Sequence, residues 1–160
     1  MKDRVDVHFL IVGEGYLKEK FQAEVADLSN ITFAPGVPKA AVQSVLQYVD
    51  VVYFAVHKSP MMRFGQSLNK VIDYMLSGKP VLASFTGYPS MINEAECGSF
   101  VPAEDVNALC AEVDRYAAMS ADDRARIGAR GHEWLLQNRG FDALARDYLG
   151  HMEIDTSSGQ

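Results

Sequence analysis

The chain has 160 residues, of which 48% are hydrophobic and 22% charged, and its formal net charge is −6 at pH 7. This composition is typical of one soluble globular domain and excludes an intrinsically disordered chain. The negative charge argues against a nucleic acid as partner. No apolar run reaches the roughly 18 residues of a membrane-spanning helix, and the charged first residues do not form a signal peptide. Two cysteines, Cys97 and Cys110, fit a reducing cytoplasm, where we expect the protein.

Apolar runs of strand length alternate with helical patterns along the chain. The first part predicts strands at residues 7–12, 30–33 and 50–56, and helices at residues 16–28 and 39–48. After a loop at 57–65, a helix is predicted at about 67–77, and Gly78 closes it. The remaining predictions are strands at 80–85 and 98–101, and helices at 89–95, 105–118, 121–137 and 141–152. We expect one domain over residues 1–152 and a flexible tail at 153–160.

The alternation predicts the α/β class, with a Rossmann-like parallel sheet and helices on both of its faces. The nearly continuous apolar run at residues 7–12 is typical of a strand that is covered on both faces. Ligands of such open sheets bind beyond the carboxyl ends of the strands. The segments in which we expect a site are therefore residues 13–15, 36–38, 57–69 and 85–90.

Gly13-Glu14-Gly15 lies where the first strand turns into a helix. Glycines there let a ligand approach the backbone, and a helix N-terminus attracts phosphate. The dinucleotide fingerprint is incomplete, because Lys18 stands at the third glycine position and no acidic residue ends the next strand. A tight turn without a ligand stays open as the alternative.

A second candidate is the start of the helix that follows Gly65. Gly65 permits an unusual backbone angle, and Gln66 or Ser67 is expected to cap the helix. The N–H groups of Ser67, Leu68 and Asn69 would then form an anion seat, which a helix N-terminus favours.

Asn69 and Asp73 are four residues apart and share one face of this helix. The Asp73 carboxylate could accept hydrogen bonds from the two hydroxyls of a ribose, and Lys70 could neutralise a phosphate nearby. The alternative is a capped surface helix whose Lys70–Asp73 side is solvated.

Three basic side chains, His57, Lys58 and Arg63, lie in the loop before that helix. They could donate hydrogen bonds to a diphosphate, and an exposed polar loop is the alternative. His8, His132 and His151 have no partner at a metal-ligand spacing, so no metal site is predicted. The chain has no Gly-x-Ser-x-Gly elbow, and no catalytic residue is identified.

Several motifs together resemble one known family. They are Phe9–Gly15, Asn30–Phe33 with Gly36-Val37-Pro38, Asp50-Val51-Val52, Gly65–Met75, Ser77–Val81, and Gly98–Val101 with Asp105 and Ala108-Leu109. Their order and spacing over residues 5 to 150 are similar to the C-terminal, donor-binding domain of a family-4-like GT-B glycosyltransferase (glycosyl transferases group 1). The resemblance implies the C-terminal half of a GT-B fold and a retaining, metal-independent transfer from a UDP- or GDP-sugar.

The resemblance also implies roles for individual residues. Asp73 would contact the ribose, the backbone of Ser67–Asn69 the diphosphate or donor sugar, and Gly36-Val37-Pro38 the base. Such families usually carry two glutamates across this block; here Asp73 holds the second place and Gly65 the first. The chain is similar to a subgroup with a Ser-Pro-Asn-Lys-like segment, with Leu68 in place of the proline. Asn69 or Lys70 would then replace the lost glutamate.

Compared with that family, we expect the chain to be a fragment that lacks the N-terminal acceptor domain and the first βα unit, whose Arg and Lys bind the diphosphate. The helix at 141–152 resembles the one that crosses back to the acceptor domain, which leaves its apolar residues exposed here. The intact enzyme would make cell-surface polysaccharide or glycoconjugate. Whether it contacts the inner face of the membrane stays open. Two rivals stay open, a nucleotide-sugar epimerase and a non-catalytic nucleotide-binding module, with a dehydrogenase as a distant third.

Overall fold

The computed structural model describes residues 1–2, 4–65 and 68–152. The strands within these residues are β1 (Phe9–Val12), β2 (Ile31–Ala34), β3 (Val52–Ala55), β4 (Val81–Ser84) and β5 (Gly98–Val101). The α-helices are α1 (Lys18–Glu24), α2 (Val42–Leu46), α3 (Asn69–Leu76), α4 (Met91–Glu94), α5 (Val106–Ala118), α6 (Ala121–Arg139) and α7 (Phe141–Met152). Two short 3₁₀ turns are formed by Lys39–Ala41 and Pro60–Phe64.

The strands form two parallel sheets. In the first, β1 pairs with β2, and Phe9 lies opposite Ile31. In the second, β4 lies between β3 and β5, with Val81 opposite both Val52 and Gly98. Parallel strands that alternate with helices confirm the predicted α/β, Rossmann-like class.

The main core surrounds β4, all four residues of which are buried. Met75 of α3, Ile92 of α4 and Cys97 pack there with Leu135 of α6, and Trp134 is partly buried against the same cluster. Leu135 and Trp134 therefore hold the long helix α6 against the sheet. Burial also raises the pKa of the Cys97 thiol to about 11, so this thiol is neutral and inert at pH 7.

The first strand is less covered than predicted. Leu10, Ile11 and Val12 are 43%, 46% and 37% exposed, although the apolar run indicated a strand buried on both faces. That expectation is wrong for this chain, because Leu10 and Val12 on one face of the strand and Ile11 on the other are all exposed. β1 has β2 as its one neighbour among the described residues. Its second edge and much of its side-chain surface face outward.

The remaining differences concern the ends of elements. The helix predicted at 16–28 is limited to Lys18–Glu24, and the one predicted at 39–48 is a 3₁₀ turn followed by α2. The helix predicted from residue 67 begins at Asn69, and its N-cap residue is Leu68, which makes no side-chain cap. The predicted caps Gln66 and Ser67, and the predicted tail at 153–160, lie outside the described residues.

Candidate functional site

The turns after β1 and β2 are joined by one carboxylate. Glu14 Oε1 accepts a hydrogen bond from the Gly36 backbone N–H at 3.1 Å. Gly13 has φ +143°, in the region that favours glycine, so the first turn depends on that residue. The predicted segments Gly13–Gly15 and Gly36–Pro38 are therefore brought together.

Lys18 closes this junction from α1. Its ammonium group donates to the carbonyls of Gly13 and Ala34 at 2.8 and 3.0 Å, and lies 3.1 Å from Glu14 Oε1. Lys18, and after it the Gly36 N–H, hold the pKa of the Glu14 carboxyl below its usual range. The residue at the third fingerprint position thus ties the two turns together. Sequence reasoning missed this role, because it treated Lys18 as a missing glycine.

The turn after β2 is also joined to α3. Lys39 follows Pro38 and forms an ion pair with the Asp73 carboxylate. Gln43 Nε2 donates to the Asp73 backbone carbonyl at 2.9 Å. Gly36-Val37-Pro38 is therefore held near the carboxylate for which a ribose contact was predicted. Neither Lys39 nor Gln43 was predicted, and their contacts with a residue 34 and 30 positions away have no local sequence signal.

The start of α3 presents the polar side chains predicted to bind the donor. Asn69 and Lys70 are exposed, whereas the side chain of Asp73, one turn later, is 18% exposed. Leu68 packs against the core and fixes where the helix begins. Because α3 starts at Asn69, the first N–H groups of the helix come from Asn69 onward. The helix still points its positive end out of the sheet edge, as an anion seat needs.

Two residues of the loop before α3 contact Glu104. His57 Nδ1 and the Lys58 backbone N–H both lie 3.2 Å from Glu104 Oε1. The Lys58 N–H, and after it His57, hold the pKa of Glu104 below its usual range. Glu104 has φ +68°, an uncommon angle for this residue type, and sequence reasoning had no signal for it.

Arg63 and Gly65 complete that loop. The Arg63 guanidinium lies 4.6 Å from the centroid of the Phe64 ring, and Gly65 adopts φ +105°, as its predicted role requires. Within the described part of the chain, no hydrogen bond joins His57, Lys58 or Arg63 to α3. A shallow pocket of about 190 Å³ lies instead beside His57 and Glu104, at the carboxyl ends of β3 and β4. Ser67 lies outside the described residues.

Among the described residues, no three His, Cys, Asp or Glu side chains are grouped as a metal ion would require. No helix formed by these residues has the length and apolar character needed to cross a bilayer.

Comparisons with known proteins give a family and a fold. A family model described as "Glycosyl transferases group 1" matches residues 1–118. No curated protein matches the sequence. Among solved structures, a glycosyltransferase from Rickettsia africae ESF-5 is similar at TM-score 0.70 and 16% identity, over 96% of this chain and 41% of that one.

Two other structures agree with that result. Anabaena Alr3699/HepE in complex with UDP-glucose is similar at TM-score 0.64 and 13% identity, over 96% of this chain and 42% of that chain. WaaG, a glycosyltransferase involved in lipopolysaccharide biosynthesis, is similar at TM-score 0.62 and 16% identity, over 94% and 38%. At these identities the likeness shows the fold alone. The chain spans about two fifths of the length of these proteins.

Proposed function

This chain belongs to the group 1 glycosyl transferases, and from that premise we propose that it forms the donor-binding part of a retaining glycosyltransferase. Its substrate would be a nucleotide-diphosphate sugar. The base would lie on Gly36-Val37-Pro38, the ribose hydroxyls on Asp73, and the diphosphate at the start of α3. Ser67 and Gly15 would complete the contacts to the phosphates and donor sugar.

One observation supports the proposal more than any other. The turns after β1 and β2 and the helix α3 are held together around Asp73 by Glu14, Lys39 and Gln43. A base, a ribose and a diphosphate extend in that order, so a nucleotide needs three neighbouring binding segments. The carboxyl edge of a parallel sheet is where such segments meet.

The chemistry of transfer fits this arrangement. Negative charge develops on the leaving diphosphate as the glycosidic bond breaks, and fixed donors that face this charge lower the barrier. The N–H groups at the start of α3 and the ammonium group of Lys70 would supply this stabilisation without a metal ion. The Anabaena protein is solved in complex with UDP and with UDP-glucose, which favours a UDP-sugar over a GDP-sugar as donor here.

The acceptor side of the reaction belongs to a second domain in our proposal. An N-terminal acceptor domain of the same enzyme would bind the molecule that receives a hexose or N-acetylhexosamine, for polysaccharide or glycoconjugate synthesis. The whole enzyme would work in the cytoplasm, with contact to the inner membrane face. We therefore expect no sugar transfer from these 160 residues alone, and detectable transfer by them would contradict this division of roles.

Titration calorimetry with UDP, GDP and ADP tests the donor site. We expect one diphosphate to bind best, and Asp73→Ala to weaken it by about tenfold or more, since a hydrogen bond to a charged group contributes about 1.5–3 kcal/mol. The matched control is Asp122→Ala, which removes an exposed helical aspartate on α6 and should leave affinity unchanged. The same titrations are repeated on the chain joined to its acceptor domain, because that protein would also contain the diphosphate contacts of the first βα unit.

Either of two results would contradict the proposal. One is equal affinity of the wild type and Asp73→Ala for the preferred diphosphate. The other is the absence of binding by all three diphosphates to the two-domain protein. Product analysis then separates the rivals, because an epimerase changes the donor sugar without an acceptor.

A further inference from the structure

Lys39 and Asp73 form an ion pair between two elements that are distant in the sequence. Lys39 belongs to the 3₁₀ turn before α2 and Asp73 to α3, and the two residues are 34 positions apart. The Lys39 side chain is 73% exposed, whereas that of Asp73 is 18% exposed. A carboxylate largely withdrawn from water is thus matched by a cation that reaches it from another element.

A second bond makes this more than an isolated surface pair, whose contribution is usually small. Gln43 lies one helical turn after Lys39 and donates to the Asp73 backbone carbonyl at 2.9 Å, in a partly buried position. Asp73 is therefore bonded from the same segment at its side chain and at its main chain. The ion pair of Lys39 and the hydrogen bond of Gln43 together join this segment to α3, so the pair is not an isolated contact between two exposed side chains.

We propose that Lys39 is a positioning residue of the donor site, which orients the Asp73 carboxylate for the ribose and, with Gln43, fixes the turn 36–38 that faces the base. This inference rests on the proposed function, in which Asp73 binds the ribose hydroxyls. A carboxylate offers about four lone-pair sites on its two oxygens. Lys39 occupies one site on Oδ2, which leaves Oδ1 and the remaining site of Oδ2 for two hydroxyl donors.

The chain position of Lys39 explains how the two parts are coupled. Pro38, whose φ is −55°, ends the base-facing turn and directly precedes Lys39. Because Lys39 follows Pro38 directly, its bond to Asp73 restricts the backbone at the end of the turn. The turn and Asp73 then bind the base and the ribose as parts of one rigid unit. Because the turn is ordered before the ligand binds, its ordering does not reduce the affinity.

The first test needs no nucleotide. Backbone ¹⁵N relaxation of the 160-residue chain reports the nanosecond mobility of Gly36 and Val37. We expect lower order parameters at both residues in the Lys39→Met/Gln43→Ala double variant. The matched control is Lys20→Met, which removes a lysine that contacts a neighbouring glutamate within α1. Unchanged order parameters in the double variant would overturn the inference and leave the donor-site proposal intact.

The second test separates positioning from direct contact with the phosphates. It compares UDP with 2′,3′-dideoxy-UDP in calorimetric titrations of the two-domain protein. We expect Lys39→Met to weaken UDP about tenfold, as loss of an oriented charge-assisted hydrogen bond does. The dideoxy compound should be weakened about threefold or less, because only the contacts of the turn 36–38 are then affected. Lys39→Arg, which keeps the charge, should restore UDP affinity to within about threefold.

Each other outcome has a definite meaning. Equal weakening of UDP and dideoxy-UDP would show that Lys39 does not act through the contact of Asp73 with the ribose, and would overturn the positioning role. Wild-type affinity in Lys39→Met would overturn it as well. If the wild-type protein binds no diphosphate at all, the proposed function fails, and the relaxation data decide separately whether Lys39 holds the turn.

Discussion

Gly128 lies in the interior of α6, where helix propensity alone would favour alanine. A Cβ at this position would overlap the Gly78 carbonyl oxygen and lie 2.8 Å from the Lys79 carbonyl carbon. Both neighbours are backbone atoms, which cannot rotate away as a side chain does. The absence of a side chain at Gly128 is therefore what allows α6 to approach the turn between α3 and β4.

We expect Gly128→Ala to lower the free energy of unfolding by about 2 kcal/mol, because overpacking costs about 1–3 kcal/mol and exceeds the gain in helix propensity. The matched control is Gly150→Ala in α7, where a Cβ meets no atom within 4 Å. That variant should be neutral or more stable by up to about 1 kcal/mol. Urea unfolding of both variants measures the difference, and a stabilised Gly128→Ala would refute the packing argument.

Glu14 acts between elements, since it fastens the turn after β1 to the turn after β2. Its pKa in the folded protein is below the usual 4.5, first because of Lys18 and then because of the Gly36 N–H. A carboxyl group whose pKa is lowered on folding stabilises the protein at pH values above its unfolded pKa. This stabilisation is lost as the pH falls through the lower, folded pKa.

The junction of the two turns should therefore loosen in acid. We expect the Gly36 amide resonance to shift as the pH falls below 4.5, and Glu14→Gln to abolish most of that shift. A pH titration of the ¹⁵N-labelled chain, in which NMR follows the Gly36 amide resonance, checks this prediction. In the control Glu94→Gln, which removes an exposed carboxylate of α4, the Gly36 resonance should still titrate as in the wild type. A Gly36 shift that persists in Glu14→Gln would contradict the assigned contact.

At the scale of the whole molecule, exposed apolar side chains mark two elements. They lie on β1 and on α7, where Phe141 is 94% and Tyr148 is 67% exposed. The exposed face of α7 agrees with the prediction made from its sequence. Such contiguous apolar patches favour association.

We accordingly expect the 160-residue chain to associate reversibly as its concentration rises. Phe141→Ser/Tyr148→Ser should reduce this association, because both exposed rings are removed from α7. Sedimentation velocity over a wide concentration range measures it. Tyr48→Ser is the matched control, since Tyr48 is 84% exposed but lies after α2. Identical association of the wild type and the α7 variant would show that the contact lies elsewhere.

Local sequence signals determined which elements form. Short apolar runs predicted the strands, and the strand at 98–101 agrees with β5 at both ends. Gly78 ends α3 with φ +67°, as predicted, and Asp105 caps α5 through the Ala108 N–H at 2.9 Å. These features depend on residues within one or two turns of each other, so the sequence carries them directly. The motif around Asp73 likewise indicated the family.

The tertiary structure alone decided how those elements meet. It placed Lys39 and Gln43 on Asp73, turned His57 and Lys58 toward Glu104, and left β1 exposed. Hydrophobic period and capping motifs report the conformation of a segment, but they contain no information about which distant segment lies beside it. That choice follows from the packing of helices and sheets in three dimensions. The structure brings the predicted segments together through side chains that the sequence did not indicate.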